Sequence, residues 1–133
     1  MSAVFADAFL YVALLNRHDE SHRQAADFVD SLRRPVITTE WVLVEVADAF
    51  AASAVRPRIQ PFIESLRTNR LIKVVEANSE LFHLGLDLYH ARPDKEWSLT
   101  DCTSFIVMQE HGLTEAATGD RHFEQAGFRA LFL

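Results

Sequence analysis

The sequence predicts an α/β protein, a three-layer α/β/α sandwich with a mostly parallel central sheet. Two observations predict it. Short apolar runs with strand character, at residues 3–6, 36–38, 71–75 and just before Thr118, alternate with longer segments of helical periodicity. The segments between strands are long enough to hold crossover helices, so right-handed connections between parallel strands are expected. No linker, internal repeat or low-complexity tract divides the 133 residues, and 1–133 reads as one domain with one core.

Residues 3–6 (AVFA) make a buried first strand that ends at Asp7. Residues 8–16 (AFLYVALLN) are apolar nearly all round, which predicts a helix packed on both sides. Over residues 19–34, Ala25, Ala26, Phe28, Val29 and Leu32 form a stripe among charged positions, and Pro35 ends that helix. Val36, Ile37 and Thr38 give a second strand. Thr38 or Thr39 can cap the helix over residues 40–54. Pro57 and Pro61 punctuate the next segment, where Ile59, Phe62, Ile63 and Leu66 mark another helical face. Residues 71–75 (LIKVV) are a strand by their β-branched content. Residues 78–91 read as a helix with Leu81, Leu84, Leu86, Leu88 and Tyr89 as apolar members, and 92–96 as a charged loop. Ser98, Leu99, Thr100 and Asp101 open a helix that stops at His111-Gly112. A short strand then delivers Thr118-Gly119-Asp120, and residues 128–133 (FRALFL) supply a last one.

Composition sets bounds on function. A chain that is 49% hydrophobic and 24% charged is globular and not disordered. The formal net charge of −6 gives no broad basic face, so any nucleic-acid partner needs bound cations or a local arginine cluster. The single cysteine, Cys102, excludes an internal disulfide, suits a reducing compartment and reads as a small core filler. The apolar start is interrupted by Asp7 and lacks a basic leader. No run approaches the roughly 18 apolar residues of a membrane span. The cytoplasm is the expected location.

Four acids stand where elements begin or end. Asp7 closes an uncharged strand, either as a ligand at the sheet's C-terminal edge or as a helix N-cap. Glu45 has Trp41, Val42, Asp48 and Ala49 as its helical neighbours, with no base to pair it. It either shares an exposed strip with Asp48 or needs a cation to offset its burial. Asp101 fits a capping box with Ser98, and one oxygen remains for other work. Asp120, after Gly119, is a turn residue or a fourth ligand. Together the four acids suit magnesium or manganese, which take oxygen ligands and keep several waters. Such a site activates water for attack on a phosphodiester. No cysteine–histidine set has zinc spacing, and no glycine-rich phosphate loop is present. His111 reads as a helix-end residue; His18, His22 and His122 sit in polar contexts that carry little information.

On Phe5-Ala6-Asp7, the run from Thr38 to Glu45, Ser98-Leu99-Thr100-Asp101 and the run from Thr118 to Phe123, the chain resembles PIN domains. The likeness is in particular to the small toxin ribonucleases called VapC. The resemblance spans nearly the whole chain. It implies a parallel sheet in an α/β/α sandwich, with Asp7, Glu45, Asp101 and Asp120 as a magnesium or manganese site. It implies cleavage of single-stranded regions of RNA, a homodimer, and inhibition by a cognate antitoxin as the partner in a type II toxin–antitoxin pair. Thr118 matches the family's threonine before the last acid and would orient Asp120 or contact phosphate; the alternative is an ordinary strand hydroxyl. Arg121 would neutralise a phosphate, or lie exposed with no role. Such domains commonly place a small hydroxyl residue after the first acid, and here Ala8-Phe9 follow Asp7. That departure motivates an alternative, a catalytically degenerate binding module. A phosphoryl-accepting signalling domain fits less well, since Asp7 stands without an adjacent acid and the last lysine is Lys95.

Overall fold

The computed structural model describes residues 2–133; Met1 lies outside the described residues. Five strands form one sheet: β1 (Val4–Ala6), β2 (Val36–Thr39), β3 (Ile72–Val75), β4 (Glu115–Ala117) and β5 (Arg129–Ala130). Their order is β3-β2-β1-β4-β5, and every pairing is parallel. The helices are α1 (Ala8–Leu15), α2 (His22–Ser31), α3 (Glu40–Ala49), α4 (Arg56–Thr68), α5 (Ser79–Ala91), α6 (Leu99–Glu110) and α7 (Arg121–Gln125). None is long and apolar enough to cross a membrane.

The chain steps one way from β1 through β2 to β3, then crosses back to β4 on the other side of β1. With right-handed crossovers, that reversal sends α1–α4 to one face and α5–α7 to the other. Most helix contacts fall within these groups: α1 packs on α2 and α3, and α5 on α6 and α6 on α7, while α3 and α6 also touch. The switch point lies between β1 and β4, and the crevice at their C-terminal ends is where such sheets hold ligands.

Side-chain caps fix where several helices start. Thr39 Oγ1 accepts from the Val42 amide at 3.1 Å, and Asn78 Oδ1 from the Leu81 amide at 2.8 Å. Ser98 and Asp101 form a reciprocal capping box at the head of α6. Beneath these starts lies an aromatic cluster. Phe123 packs on Phe105 at 5.0 Å between ring centroids and on Phe5 at 6.1 Å, and Trp97 meets Phe105 at 5.0 Å. Phe5, Phe105 and Phe123 are essentially fully buried, which locks β1, α6 and α7 together under the crevice.

Three boundaries differ from expectation. The helix expected over 19–34 runs only over His22–Ser31: it starts late because Asp19 builds a turn in which its Oδ1 accepts from the Ser21 amide at 2.8 Å, and it ends early where Leu32 becomes extended. The helix expected over 40–54 ends at Ala49, with Phe50 buried as the chain turns away. The last strand is short, although the amides of Leu131 and Phe132 still donate to the carbonyls of Ala116 and Thr118.

Gly85 sets the closeness of α5 and α6. A Cβ there would sit 2.6 Å from Thr103 Cγ2 and 3.3 Å from the Thr103 backbone nitrogen. We expect Gly85→Ala to lower unfolding stability by about 1–3 kcal/mol, read by urea denaturation. Thr103→Ser removes the colliding methyl and should restore part of that loss. A double variant no more stable than the single changes predict together would show that this contact does not limit the packing.

Candidate metal centre

Parallel pairing of β1 with β4 aligns Phe5 with Ala116 and Ala6 with Ala117, so the next residues, Asp7 and Thr118, emerge side by side. Thr118 Oγ1 donates to Asp7 Oδ2 at 3.0 Å and accepts from the Asp120 amide at 3.1 Å. One buried hydroxyl thus ties two of the expected acids. Asp7 stands at the N-cap position of α1, yet its side chain makes no capping hydrogen bond. The capping alternative for Asp7 therefore does not hold. Its carboxyl is only 4% exposed and its pKa is pushed up to about 7. Burial is the main cause, followed by the charges of Asp101 and Glu45; the Thr118 hydrogen bond pulls the other way.

Asp101 performs both parts that the sequence left open. Its Oδ2 accepts from the Ser98 amide at 3.1 Å as half of the capping box, while Oδ1 has no hydrogen bond among the described residues. Asp120 caps α7, accepting the His122 amide at 2.9 Å. Glu45 projects from the middle of α3, half-buried, with neither ion pair nor hydrogen bond among the described residues. Burial and the charges of Asp101, Asp120 and Asp48 raise its pKa. Burial also raises that of Asp101, against hydrogen bonds from His122 and Ser98. The charges of Asp101 and Glu45 thus act on Asp7, and those of Asp101 and Asp120 act on Glu45.

His122 was not legible as a member. Its Nδ1 bonds Asp101 Oδ2 at 2.9 Å and lies 3.5 Å from Asp120 Oδ1. Ligand atoms of Asp101, Asp120 and His122 fall within 4.8 Å of one another; Asp7 and Glu45 are not part of that tight set and bear on it through charge. Asp101 and Asp120 therefore have a basic neighbour, whereas Glu45 has none among the described residues. Phe123, clamped between Phe5 and Phe105, is what brings its neighbour His122 back over α6. Burial lowers the pKa of His122, but the Asp101 hydrogen bond and the charges of Asp120, Asp101 and Glu96 outweigh it and leave the imidazole raised. No lysine or arginine reaches the four acids among the described residues, and Arg121 is exposed without an ion pair.

The PIN domain profile matches residues 4–129. The chain belongs to the PIN domain family. It is 26% identical over 125 residues to the 23S rRNA-specific endonuclease VapC20 of Mycobacterium tuberculosis, covering 94% of this chain and 95% of that protein. The crystal structure of VapC20, titled a Sarcin-Ricin loop cleaving toxin, superposes with a TM-score of 0.85 at 26% identity over 96% of each chain. VapBC2 from Rickettsia felis, bound to a promoter DNA fragment, shares the fold at TM-score 0.67 and 11% identity over 97% of each chain. FitAcB from Neisseria gonorrhoeae does so at TM-score 0.67 and 16% identity, over 96% of this chain and 94% of that one.

Within this PIN domain the residue after Asp7 is a buried alanine, and the hydroxyl that Asp7 receives comes from Thr118 across the sheet. Phe9 supports the same loop from below. A Cβ at Gly119 would lie 2.6 Å from the Phe9 ring, so the glycine lets that ring buttress the turn carrying Asp120. The donor set is oxygen-rich and short of positive charge, the chemistry that hard divalent cations satisfy. Cys102 does not compete. Its thiol is buried and pushed up to about 11, by burial and then by the charge of Asp101.

Stability in chelator should carry the mark of this crowding. Asp7 holds its proton to about pH 7 when folded, against an ordinary value of 3.8. Below about pH 4 both states are protonated and nothing is lost; between there and about pH 7 only the unfolded chain releases the proton. Folding stability therefore falls as pH rises through that window, with a ceiling on the order of 4 kcal/mol. The raised His122 acts in the same direction. Asp7→Asn should melt higher than the parent at pH 7.5 in EDTA and show a flatter pH profile. A lower melting temperature there would mean that the Asp7 carboxylate is a structural asset and not a crowded charge.

Proposed function

We propose that the chain is a metal-dependent endoribonuclease that cuts single-stranded regions of RNA, the toxin of a type II toxin–antitoxin pair. It acts as one domain over 1–133 in the cytoplasm. The observation that carries this reading is a buried carboxylate, Asp7, surrounded by further acids at the sheet's switch point with no lysine or arginine to neutralise it. The 26% identity to an endonuclease specific for 23S rRNA over nearly the full length supports RNA as the substrate. Asp7, Glu45, Asp101 and Asp120 would hold Mg2+ or Mn2+, which when bound supplies a water of lowered pKa and a counter-charge for the leaving oxygen.

This chain's own groups set the geometry. Thr118 orients Asp7 and the loop of Asp120 through its single hydroxyl. The hydrogen bond from His122 Nδ1 turns Asp101 so that Oδ1 is left for the cation. Histidine in that position donates to a ligand and steadies it. Because Asp7 must lose its proton for the site to bind a cation, metal affinity rises with pH up to about 7 and levels off above it. A cognate antitoxin and a homodimer complete the reading. Exposed Phe82, Leu86 and Tyr89, spaced along one face of α5, support a surface shared with another chain.

Purified protein should cut single-stranded RNA in Mg2+ or Mn2+ and stop in excess chelator. Asp7→Asn and Asp101→Asn should each lose about a hundredfold or more in rate while far-UV circular dichroism is unchanged. Undiminished cutting in EDTA defeats the metal-dependent reading, and absence of Mn2+ binding by calorimetry selects the degenerate binding module instead. Thr118→Val removes the donor that restrains Asp7, so Mn2+ affinity should drop about tenfold at neutral pH and its pH midpoint should move upward. An unmoved midpoint would mean that the hydroxyl does not act on Asp7.

A further inference from the structure

The turn between α1 and α2 faces the turn between α3 and α4 across a cavity of about 610 Å3. Arg17, His18 and His22 line it from one hairpin and Ser53 and Arg58 from the other. No aspartate or glutamate lines it, in a chain with 19 acids against 13 lysines and arginines. The nearest acid in sequence, Asp19, is turned onto the Ser21 amide. Arg17 and Arg58 make no ion pair and no hydrogen bond among the described residues, whereas Arg34 and Arg67 each hold a glutamate at 2.7 Å. His22 Nδ1 is fixed on the Ala13 carbonyl at 2.8 Å, which leaves Nε2 unengaged.

Two exposed guanidinium groups lining one cavity that no acid lines give it a net positive wall, and a phosphate fits their forked donors. We infer that this cavity holds a backbone phosphate of the RNA strand, some nucleotides away from the bond that is cut; the inference rests on the nuclease reading. Its position follows from α1. That helix leaves Asp7 at one end and reaches the cavity through Leu14 and Leu15 at the other, about 12 Å along its axis. It packs on α3, which carries Glu45. Nucleotides flanking the cut bond do not span that distance, whereas a longer strand does. The basic charge needed to hold RNA is thus set apart from the acids that need a cation, and the net charge of −6 hides both.

Length dependence tests this. Binding of a single-stranded RNA of about ten nucleotides in Ca2+ is compared with that of a dinucleotide, and cleavage of both is followed in Mn2+. Arg17→Ala and Arg58→Ala should each weaken the long RNA about tenfold and reduce its logarithmic salt slope by about one. Dinucleotide cleavage and Mn2+ affinity should stay unchanged, and Arg58→Lys should keep the slope. Equal loss on both lengths, or an unchanged slope, overturns the site. So does an acidic peptide that needs these arginines when RNA does not. If the parent protein cuts neither RNA but binds the longer one with the same arginine-dependent slope, the nuclease reading fails and the phosphate site stands. Cutting that ignores both arginines gives the reverse.

Discussion

The structure depends on one hydrogen-bonded junction, the Thr118 hydroxyl between Asp7 and the Asp120 amide. It sits where two parallel strands end side by side, inside the protein. A carboxylate there has lost its water, and the Thr118 hydroxyl and the Ala8 backbone offset only part of that loss, so its pKa is pushed up to about 7. A fold selected for stability alone would place an apolar side chain at such a point. Keeping an acid, with Asp101 and Glu45 near enough to push its pKa further, costs several kcal/mol unless a cation arrives. The cluster of Phe5, Phe105 and Phe123 directly below is the compensation. It fixes β1, α6 and α7 by apolar packing, so the acids above need not contribute to holding those elements in place.

Local economy runs through the same region. Asp101 Oδ2 both closes the capping box of α6 and accepts the His122 ring, leaving the other oxygen unengaged. Asp120 starts α7, and that start is what positions His122. Asp7 is the exception, since it occupies a cap position without capping. The start of α5 uses Asn78, which touches none of the four acids and whose loss would be felt as stability alone. The distinction separates side chains that end an element from side chains that an element merely delivers.

The parts legible in the sequence were those fixed by short-range chemistry. Apolar runs gave the strands, and Ser98 with Asp101 gave a cap, each within a few residues; Pro35 placed the end of α2 three residues too late. The four acids stood out in the sequence because each terminates a recognisable element or lacks a neighbouring base, and two of them, Asp101 and Asp120, share the tight set with His122. The shortened helices were not legible, because Asp19 and Phe50 redirect the chain without a glycine or proline to announce it. His122 was illegible for a different reason. Its partner is 21 residues away on another helix, and only the anchoring of Phe123 brings them together. Its place two residues beyond Asp120 was the available signal, readable once Asp120 is taken as a helix cap that turns the next residues back. The spacing did not contain the donor to Asp7 either; the parallel register of β1 with β4 supplies it from 111 residues away.

Net charge misled in an instructive way. A total of −6 describes neither end of α1. At its start, acids are crowded without lysine or arginine; at its far end, Arg17 and Arg58 line one cavity that no acid lines. Random placement of 19 acids and 13 bases would tend to neutralise both places, because ion pairs at a surface form at little cost. Segregation on this scale keeps two opposite fields from collapsing onto each other. Interactions between exposed charges are screened over about 8–10 Å at physiological salt, so the rise of about 12 Å along α1 weakens the coupling between its two ends. A polyanion that must approach a carboxylate site through water meets an attractive pole first. On the proposed reading its phosphodiester would then arrive where a bound divalent cation would offset the repulsion. Arginines placed among the acids themselves would pair with them and deny such a cation its ligands. A small fold that is to hold both a cation and a polyanion therefore gains by keeping the two poles apart.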